Sequence, residues 1–384
     1  MAICEIDQKL MVFNMNRRKL LKTAAVGTIL ATAAACGKES DNNKVSSVST
    51  GKIEWKMVTT WPKNFPGLGT GAQRIADSIT NMSEGQLTVK LYAAGELVPA
   101  FESFDAVRQE TAQMSHGASY YWINKNKSTP FFAAVPGGLT AQEHNAWIHY
   151  GGGQELWDEL YAEFNVKGFL GGNSGVQMGG WFNKEINSAD DFKGLKMRMP
   201  GLGGQMITKL GASVVGMPGG QIYENLVNGT IDACEWVGPW NDERSRFYEA
   251  AKYYYWPGMH EPGTLITLGC NKSWLTSLSK TDQMIIEHAA TVQNEMMLTE
   301  YNANNGAALQ RLITDHGVEL REFNDDVIDA MGEASEELYA ELAEGNELTG
   351  RILDSFLKAR SDIGDWLKIA DHGYTAQRRR VLEG

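Results

Sequence analysis

Three short, largely apolar segments each contain a polar side chain of a kind that binds ligands. Gln177 lies in a glycine-rich segment, Arg198 lies in the alternating segment 194–201, and Glu235 lies in a third apolar run. An unmet buried hydrogen-bonding group costs about 1–3 kcal/mol, and a charge costs more, so each residue needs a partner. Arginine holds a carboxylate through two hydrogen bonds, and oxygen atoms of Gln and Glu suit Na⁺ or Ca²⁺ better than Zn²⁺. The pattern predicts a site for an organic anion and a hard cation.

Two other interpretations of these residues remain open at the level of sequence. Arg198 and Glu235 could form an internal salt bridge, although a permanently buried pair gains little over apolar packing. In that case Arg198→Ala would destabilise the protein instead of abolishing ligand binding. Alternatively, the chain could be a secreted metal-dependent enzyme that acts on a small carboxylate, with His260 or Glu261 as the candidate acid or base.

Other patterns argue against several classes of site. The net charge is -12 over 384 residues, which argues against nucleic acid because phosphate binding needs a basic surface. His144 and His149 have the wrong spacing for two metal ligands on one helix face, and the H-E-x-x-H, C-x-x-C and G-x-S-x-G motifs do not occur. The glycine-rich segment 65–71 opens a predicted helix but lacks the Lys-Ser/Thr of a phosphate loop.

Aromatic residues are placed to form the walls of a pocket. Tyr120 and Tyr121 follow a predicted strand at 114–118, and three consecutive tyrosines precede the turn at 258–263. Core packing accounts for most of these rings, but we expect at least one tyrosine hydroxyl to face a small polar ligand.

The elements that must position these residues alternate along the chain. Short apolar strands and helical segments follow one another from Ile53 onward, which predicts mixed α/β sheets. Predicted strands cover 53–58, 87–91, 166–170, 177–182, 194–199, 231–237 and 264–270, and predicted helices cover 69–82, 101–108, 142–164, 203–210, 221–227 and 281–315. No low-complexity linker divides this region, so we expect two lobes joined by several chain crossings, an architecture that encloses a ligand.

The N-terminal part predicts export. Residues 1–36 contain the twin-arginine pattern N-R-R-K-L-L-K and an uncharged apolar stretch, and a start at Met15 fits a signal better than a start at Met1. Small residues before Cys36 resemble a lipobox, which predicts a lipid on Cys36, although the three alanines also suit ordinary signal peptidase. Residues 37–52 form a polar tether. Either cleavage places the mature protein outside the cytoplasm.

Two cysteines remain beyond the signal. Cys234 and Cys270 each lie in an apolar, strand-like segment. In an oxidising compartment they could form a disulfide, but buried free thiols are also common. Both possibilities stay open.

Three longer segments carry a resemblance to a known family. They are G-V-Q-M-G-G-W-F at 175–182, F-K-G-L-K-M-R-M-P-G at 192–201 and G-T-I-D-A-C-E-W-V-G-P at 229–239. From about Ile53 to its end, the chain resembles the solute receptors of tripartite ATP-independent periplasmic (TRAP) transporters, the DctP family. Within that family it resembles the branch that binds α-keto acids and lactate with a metal ion. Many members carry Asn-Pro where this chain has Glu235-Trp236, so ligand rules from sialic-acid or C4-dicarboxylate receptors do not transfer.

The resemblance implies a fold and a role. The fold is an α/β, two-lobed type II periplasmic binding protein with hinge strands and a long helix that spans the lobes. The implied parts are lobe I at 53–175 plus about 262–300, lobe II at 176–261 plus about 301–350, and a C-terminal helical dimerisation segment at 351–384. The implied role is a periplasmic receptor, not an enzyme, that delivers a small monocarboxylate to a membrane permease.

The resemblance also assigns roles to individual residues. It places Arg198 on the substrate carboxylate. Together with the tyrosines expected in the pocket wall, the candidate substrate-binding residues are Arg198, Gln177, Tyr120, Tyr121 and Trp236. The metal ligands it implies are Gln177, Glu235 and the backbone carbonyl of Trp236, with Glu261 as a further candidate. The cation is Na⁺ or Ca²⁺ and bridges substrate and protein. The choice of cation and of the individual 2-keto or 2-hydroxy acid depends on pocket geometry and stays open.

Overall fold

The computed structural model describes residues 53–383 of the chain. The predicted export signal, the Met15 start, the lipidation site Cys36 and the tether lie outside the described residues. None of the helices within 53–383 combines the length and the hydropathy that a membrane span requires.

Strands and helices alternate along residues 53–383, as the sequence predicts. The strands are β1 (Ile53–Thr59), β2 (Leu87–Tyr92), β3 (Met114–Gly117), β4 (Val166–Asn173), β5 (Gly180–Phe182), β6 (Lys196–Arg198), β7 (Ser213–Val215), β8 (Ala233–Cys234), β9 (Tyr253–Trp256), β10 (Leu265–Asn271) and β11 (Glu319–Glu322). The α-helices are α1 (Leu68–Met82), α2 (Ser103–Arg108), α3 (Ala141–Tyr150), α4 (Gly153–Ala162), α5 (Gly201–Lys209), α6 (Ile222–Val227), α7 (Pro239–Ser245), α8 (Lys272–Ser277), α9 (Lys280–Thr314), α10 (Asp325–Ala343), α11 (Glu347–Leu367) and α12 (Gly373–Arg378).

The first sheet forms the centre of lobe I. Its five strands have the order β2-β1-β3-β10-β4. Strand β1 runs parallel to β2 and β3, whereas β10 is antiparallel to β3 and β4. Beside this sheet, the ring of Phe132 stacks against Trp147 and Trp157, with ring centroids 5.4 and 5.2 Å away. Burial of these large rings stabilises the lobe mainly through the hydrophobic effect.

The second sheet forms the centre of lobe II. Its six strands have the order β11-β9-β5-β8-β6-β7. Strands β6 and β8 are parallel neighbours, and Arg198 pairs with Cys234 in their register. The carboxyl ends of two parallel strands therefore lie side by side, and Glu235, the residue after Cys234, emerges next to Arg198.

Long helices connect the two lobes. Helix α9 has 35 residues and begins at Ser279, whose side chain accepts a hydrogen bond from the backbone N–H of Asp282. It packs against α1 and β4 of lobe I and against α7 of lobe II. Helix α10 packs on α5 of lobe II, and α11 packs on α3 and α4 of lobe I.

Several predicted elements differ from the observed ones. The predicted helix 142–164 is two helices, because Gly152 adopts a left-handed conformation with φ of 82° at the break. The predicted strands 177–182 and 231–237 shrink to β5 and β8, so Gln177 and Glu235 lie in loops beside strand ends instead of within strands. Cys234 and Cys270 are buried free thiols on different sheets, which settles the open alternative against a disulfide.

Candidate functional site

Arg198 ends strand β6 with its side chain buried between the lobes. Only 1% of the residue is exposed. Its Nε donates to the backbone oxygen of Met217 at 3.1 Å, and its Nη1 donates to the carboxylate of Glu235 and to the backbone oxygen of that residue. Its Nη2 has no hydrogen-bond partner among the described residues. One N–H-bearing nitrogen of a buried guanidinium is therefore available to another acceptor.

Glu235 is fully buried and forms an ion pair with Arg198. The internal salt bridge considered from the sequence is thus present. It does not satisfy both partners, however, because Oε2 of Glu235 lacks a hydrogen bond within residues 53–383. Oε2 lies 3.5 Å from Nε2 of His260, which is also buried and without a hydrogen bond there. Buried polar groups in proteins normally have hydrogen-bond partners. Because one donor of Arg198 and one acceptor of Glu235 have none here, both residues can still bind a ligand.

Gln177 is held by a network from its own loop and from the turn that follows β9. Its Nε2 donates to Glu261 at 2.8 Å, to Thr264 at 2.9 Å and to Ser174 at 3.2 Å. The side chain of Thr264 also donates to Glu261. These bonds use the amide nitrogen and leave Oε1 of Gln177 buried without a partner in the described part of the chain.

Glu261 is the second buried carboxyl group of the site and is 3% exposed. Burial raises its pKa well above the usual value, and the charge of Glu235 raises the pKa further. The pKa of Glu261 rises because burial removes water from its charged form and because the negative charge of Glu235 disfavours a second negative charge nearby. Positive charge placed between them would remove that conflict.

Oxygen atoms around these residues form a set that suits a hard cation. Glu235, His260 and Glu261 each offer one ligand atom, and these atoms lie within 4.8 Å of one another. Oε1 of Gln177 and Oε2 of Glu235 are the unpartnered acceptors of the group. Carboxylate and amide oxygens are ligands of Na⁺ and Ca²⁺, so the residues fit the cation that the sequence predicts. The cluster adds His260, which the sequence offered only as a candidate acid or base.

Aromatic side chains close a cavity over this polar group. This cavity has a volume of about 10 Å³. Its walls include Trp61, Tyr120, Tyr121, Gln177 and Trp236. The cavity therefore has room for little more than one water molecule when the lobes stand as they do here.

Both predicted tyrosines line this ligand cavity. Burial raises the pKa of Tyr121 to about 12 and that of Tyr120 well above the usual value. Both hydroxyls therefore stay protonated and can donate a hydrogen bond to an anion. The backbone at Gly201 packs directly against the side chain of Tyr120. A Cβ on Gly201 would lie only 2.9 Å from the Tyr120 side chain, and the φ of 65° at Gly201 also favours glycine.

The ring of Trp236 covers the guanidinium of Arg198. The centroid of the indole lies 5.2 Å from Cζ of the arginine, a distance at which a cation is attracted to the ring face. The sequence did not indicate two neighbours that position the site. They are the Met217 carbonyl, which fixes Nε of Arg198, and Thr264, which orients Gln177. A backbone carbonyl has no sequence signal, and Thr264 lies 87 residues from Gln177 along the chain.

Comparison with known proteins identifies the family. Residues 57–346 match the model of the DctP family, described as bacterial extracellular solute-binding protein, family 7. The chain belongs to this family. The expectations of a two-lobed periplasmic binding protein fold and of a solute receptor instead of an enzyme are thereby confirmed.

Three similar proteins carry ligand information in their descriptions. A monocarboxylate 2-oxoacid-binding periplasmic protein of Nostoc sp. is 39% identical over 94% of this chain and 98% of its own length. A TRAP solute-binding protein of Pseudoalteromonas atlantica with bound sodium and pyruvate is 40% identical, with a TM-score of 0.82 over 85% of this chain and 99% of that one. A Bordetella bronchiseptica TRAP receptor, described as a mixed-occupancy dimer with calcium and picolinate, is 37% identical, with a TM-score of 0.83 over 85% and 97%.

Proposed function

We propose that this receptor binds a small 2-oxo or 2-hydroxy monocarboxylate, such as pyruvate or lactate, together with Na⁺ or Ca²⁺. It then delivers the acid unchanged to the membrane permease of a TRAP transporter. The observation that carries the proposal is the group of buried, unpartnered polar atoms beside one cavity. A donor on Arg198 and acceptors on Gln177 and Glu235 match the two charges of such a ligand pair. The similar receptor with sodium and pyruvate supports this choice of ligand.

Arg198 holds the ligand carboxylate in this proposal. Its free Nη2 is the donor that the carboxylate engages, while Nε stays fixed on the Met217 carbonyl. A hydrogen bond to a charged group contributes about 1.5–3 kcal/mol to the bound form. Tyr120 and Tyr121 line the same cavity, and their hydroxyls are the further donors of this proposal.

Gln177, Glu235 and the backbone carbonyl of Trp236 hold the cation in this proposal, and Glu261 stands beside them. The cation supplies the positive charge that allows two carboxylates and an anionic ligand to share one enclosed space. Without that charge, Glu235 would repel the ligand carboxylate from the guanidinium that both groups contact. Anion and cation are therefore expected to bind cooperatively.

Two loops form the hinge in this proposal. Residues 174–179 connect β4 to β5, and residues 257–264 connect β9 to β10, so each loop passes from one sheet to the other. Gln177 donates its backbone N–H to the carbonyl of Glu261 at 3.1 Å, which ties the two loops together. The proposed lobe boundaries, 53–175 with about 262–300 and 176–261 with about 301–350, fall in these loops, within α9 and, at about 350, within the first turn of α11. Because Gln177 and Glu261 lie on these two loops, ligand binding at these residues directly affects the closure of the lobes.

We also propose that the protein is exported by the twin-arginine route and anchored through a lipid on Cys36. The twin-arginine pattern in residues 1–36 and the small residues before Cys36 support these steps. Mass spectrometry of the mature protein from membranes tests the anchor, since an unacylated N-terminus would contradict it.

A homodimer through the C-terminal segment 351–384 is part of the proposal. Apolar side chains near the end of the described chain are exposed, including Trp366 at 63%, Ile369 at 74% and Leu382 at 77%. Exposed apolar side chains in one helical segment are typical of a surface that a partner covers. The Bordetella relative described as a dimer supports this step. Light scattering tests the proposed dimer by comparing the mass of the full chain with that of a chain truncated after Leu367. We expect a dimer for the full chain, and a monomeric mass for both proteins would contradict the proposal.

Titration calorimetry tests the ligand proposal directly. The protein is freed of Na⁺ and Ca²⁺ in potassium buffer with a chelator, and pyruvate is added before and after either cation is restored. We expect heat with pyruvate only when the cation is present. Glu235→Gln should weaken cation binding first, whereas Arg198→Ala should abolish pyruvate binding.

An exposed arginine provides the matched control. Arg311 pairs with Glu243 at 2.6 Å and is 46% exposed, so Arg311→Ala should bind pyruvate as the unchanged protein does. No heat with any 2-oxo or 2-hydroxy acid under either cation would overturn the proposal. Conversion of pyruvate during the titration would instead favour an enzyme.

A further inference from the structure

A second, larger cavity lies outside the ligand cavity and is formed by both lobes. It has a volume of about 460 Å³, and apolar atoms form most of its surface. We call it the outer groove. Its walls include Thr60, Pro62 and Phe101 of lobe I and Pro218, Gly220 and Gln221 of lobe II. The outer groove carries no charged side chain among these residues, so it suits an alkyl chain better than a second anion.

The first part of the wall between the two cavities is a pair of stacked rings. Phe101 lines the outer groove, and Tyr121 lines the ligand cavity. Their centroids lie 4.6 Å apart with an interplanar angle of 30°. The ring of Phe101 therefore stands directly behind the ring that closes the ligand cavity.

The second part of the wall is a glycine packed on a tryptophan. Trp236 lines the ligand cavity, while Pro218 and Gly220, the neighbours of Gly219, line the outer groove. A Cβ on Gly219 would overlap the six-membered ring of Trp236. Only a residue without a side chain allows the backbone to lie this close to the indole. The indole has little freedom to retreat, since it is 5% exposed and packs edge-on against Trp61 and Phe65.

We propose that Phe101 and Gly219 determine the chain length of the acid that the cleft accepts. This inference rests on the proposed function. An acid of pyruvate size, with its carboxylate at Arg198, needs a wider ligand cavity than the closed one seen here, and a small opening of the lobes supplies that space without displacing Phe101. A straight-chain 2-oxoacid with several more methylene groups must push the ring of Tyr121 back onto Phe101 and displace both rings before its alkyl chain reaches the outer groove. Without the ring of Phe101, the ring of Tyr121 has space to move aside.

The chain-length profile of the Phe101→Ala variant tests the first part of the wall. Calorimetry in the cation-containing buffer measures straight-chain 2-oxoacids from pyruvate to 2-oxooctanoate. In the unchanged protein the affinity should fall along the series. In Phe101→Ala the longer acids should gain about tenfold or more, because each accommodated methylene contributes about that factor. Pyruvate should change little, since Phe101 does not line the ligand cavity.

Two adjacent glycines provide a matched pair for the second part. Gly219→Ala should weaken pyruvate binding by about tenfold or more, because overpacking forces the indole toward the ligand cavity. Gly220→Ala is the control, since its Cβ would meet only Pro62 at 3.9 Å, an ordinary contact. Both variants begin from glycines of the same short turn, so a general disturbance of that turn would affect them equally.

The outcomes separate this inference from the proposed function. If the unchanged protein binds no 2-oxoacid, the proposed function fails. If it binds pyruvate but Phe101→Ala has the same chain-length profile, or Gly219→Ala and Gly220→Ala bind equally well, the wall has no such role. If Phe101→Ala does not fold, the chain-length profiles of the glycine pair decide alone. Gly219→Ala should then disfavour the longer acids, relative to pyruvate, more than Gly220→Ala does, and equal profiles would overturn the proposal.

Discussion

Removal of Arg198 alone should destabilise the ligand-free protein more than removal of the whole ion pair. The side chains of Arg198 and Glu235 are each 1% exposed, so Arg198→Met leaves a buried carboxylate beside Glu261 without its positive partner. Breaking a buried pair in this way costs about 3–5 kcal/mol of unfolding free energy. The double variant Arg198→Met/Glu235→Leu should recover most of that loss. It removes the uncompensated charge and leaves only the backbone carbonyls of Met217 and Glu235 without their donor.

Urea unfolding in potassium buffer with a chelator measures these free energies. The comparison is valid where the dependence on urea concentration is the same for all three proteins. If Arg198→Met lies within about 1 kcal/mol of the unchanged protein, the range of an exposed pair, then the buried ion pair does not contribute as described. A double variant as unstable as the single one would also contradict the reasoning, because the loss would then come from packing instead of charge.

Added Ca²⁺ provides an independent check on the same variants. Arg198→Met retains both carboxylates but lacks the competing guanidinium, so Ca²⁺ should stabilise it more than it stabilises the unchanged protein. A cation at a hundred times its dissociation constant adds about 2.7 kcal/mol. The double variant has lost one carboxylate and should respond least. Equal stabilisation of all three proteins would place the cation elsewhere.

Two further predictions concern pH. Burial lowers the pKa of His116 and of His144 from 6.5 to about 4, so the stability that each neutral ring contributes is complete above pH 6.5 and is lost as the pH falls toward 4. Each histidine can contribute up to about 3.4 kcal/mol to the free energy of unfolding. In His144→Gln this free energy should therefore fall less steeply between pH 6.5 and pH 4 than in the unchanged protein. An equally steep fall would contradict the prediction. Burial raises the pKa of Asp242 from 3.8 to about 7, so its carboxyl contributes most below pH 3.8 and its contribution is lost as the pH rises to 7. Relative to the unchanged protein, Asp242→Asn should therefore gain up to about 4 kcal/mol of unfolding free energy between pH 4 and pH 8, and a difference independent of pH would refute the shift.

The long elements of the fold were predictable because their patterns are local. The predicted helix 281–315 is observed as Lys280–Thr314, with a serine cap at its start. The predicted strand 264–270 is observed as Leu265–Asn271. The predicted helix 142–164 was wrong across its middle, because apolar spacing continues through Gly151 and Gly152 while the backbone turns at Gly152. A periodic pattern reports which face is buried, not whether the chain bends between two buried faces.

The predicted strands at the site were too long for a different physical reason. Residues 177–179 donate their backbone N–H groups to three separate segments, at Glu261, Val237 and Tyr255, instead of to one neighbouring strand. An apolar sequence predicts burial of a segment, but the hydrogen-bond partners of its backbone are set by whatever packs beside it. The loop 174–179 is therefore largely buried without forming a ladder.

The sequence by itself determined the class of the protein and the types of groups at its site. A lone guanidinium, a lone amide and a lone carboxylate in apolar surroundings already require partners, and the segments around Gln177, Arg198 and Glu235 resemble one receptor family. Only the tertiary structure decided which atoms of these groups stay unpartnered, because Met217, His260 and Thr264 reach the site from loops distant in sequence. The two parts of the wall, Phe101 on Tyr121 and Gly219 against Trp236, likewise exist only in the tertiary structure, since no local pattern records which backbone will lie against the ring of Trp236.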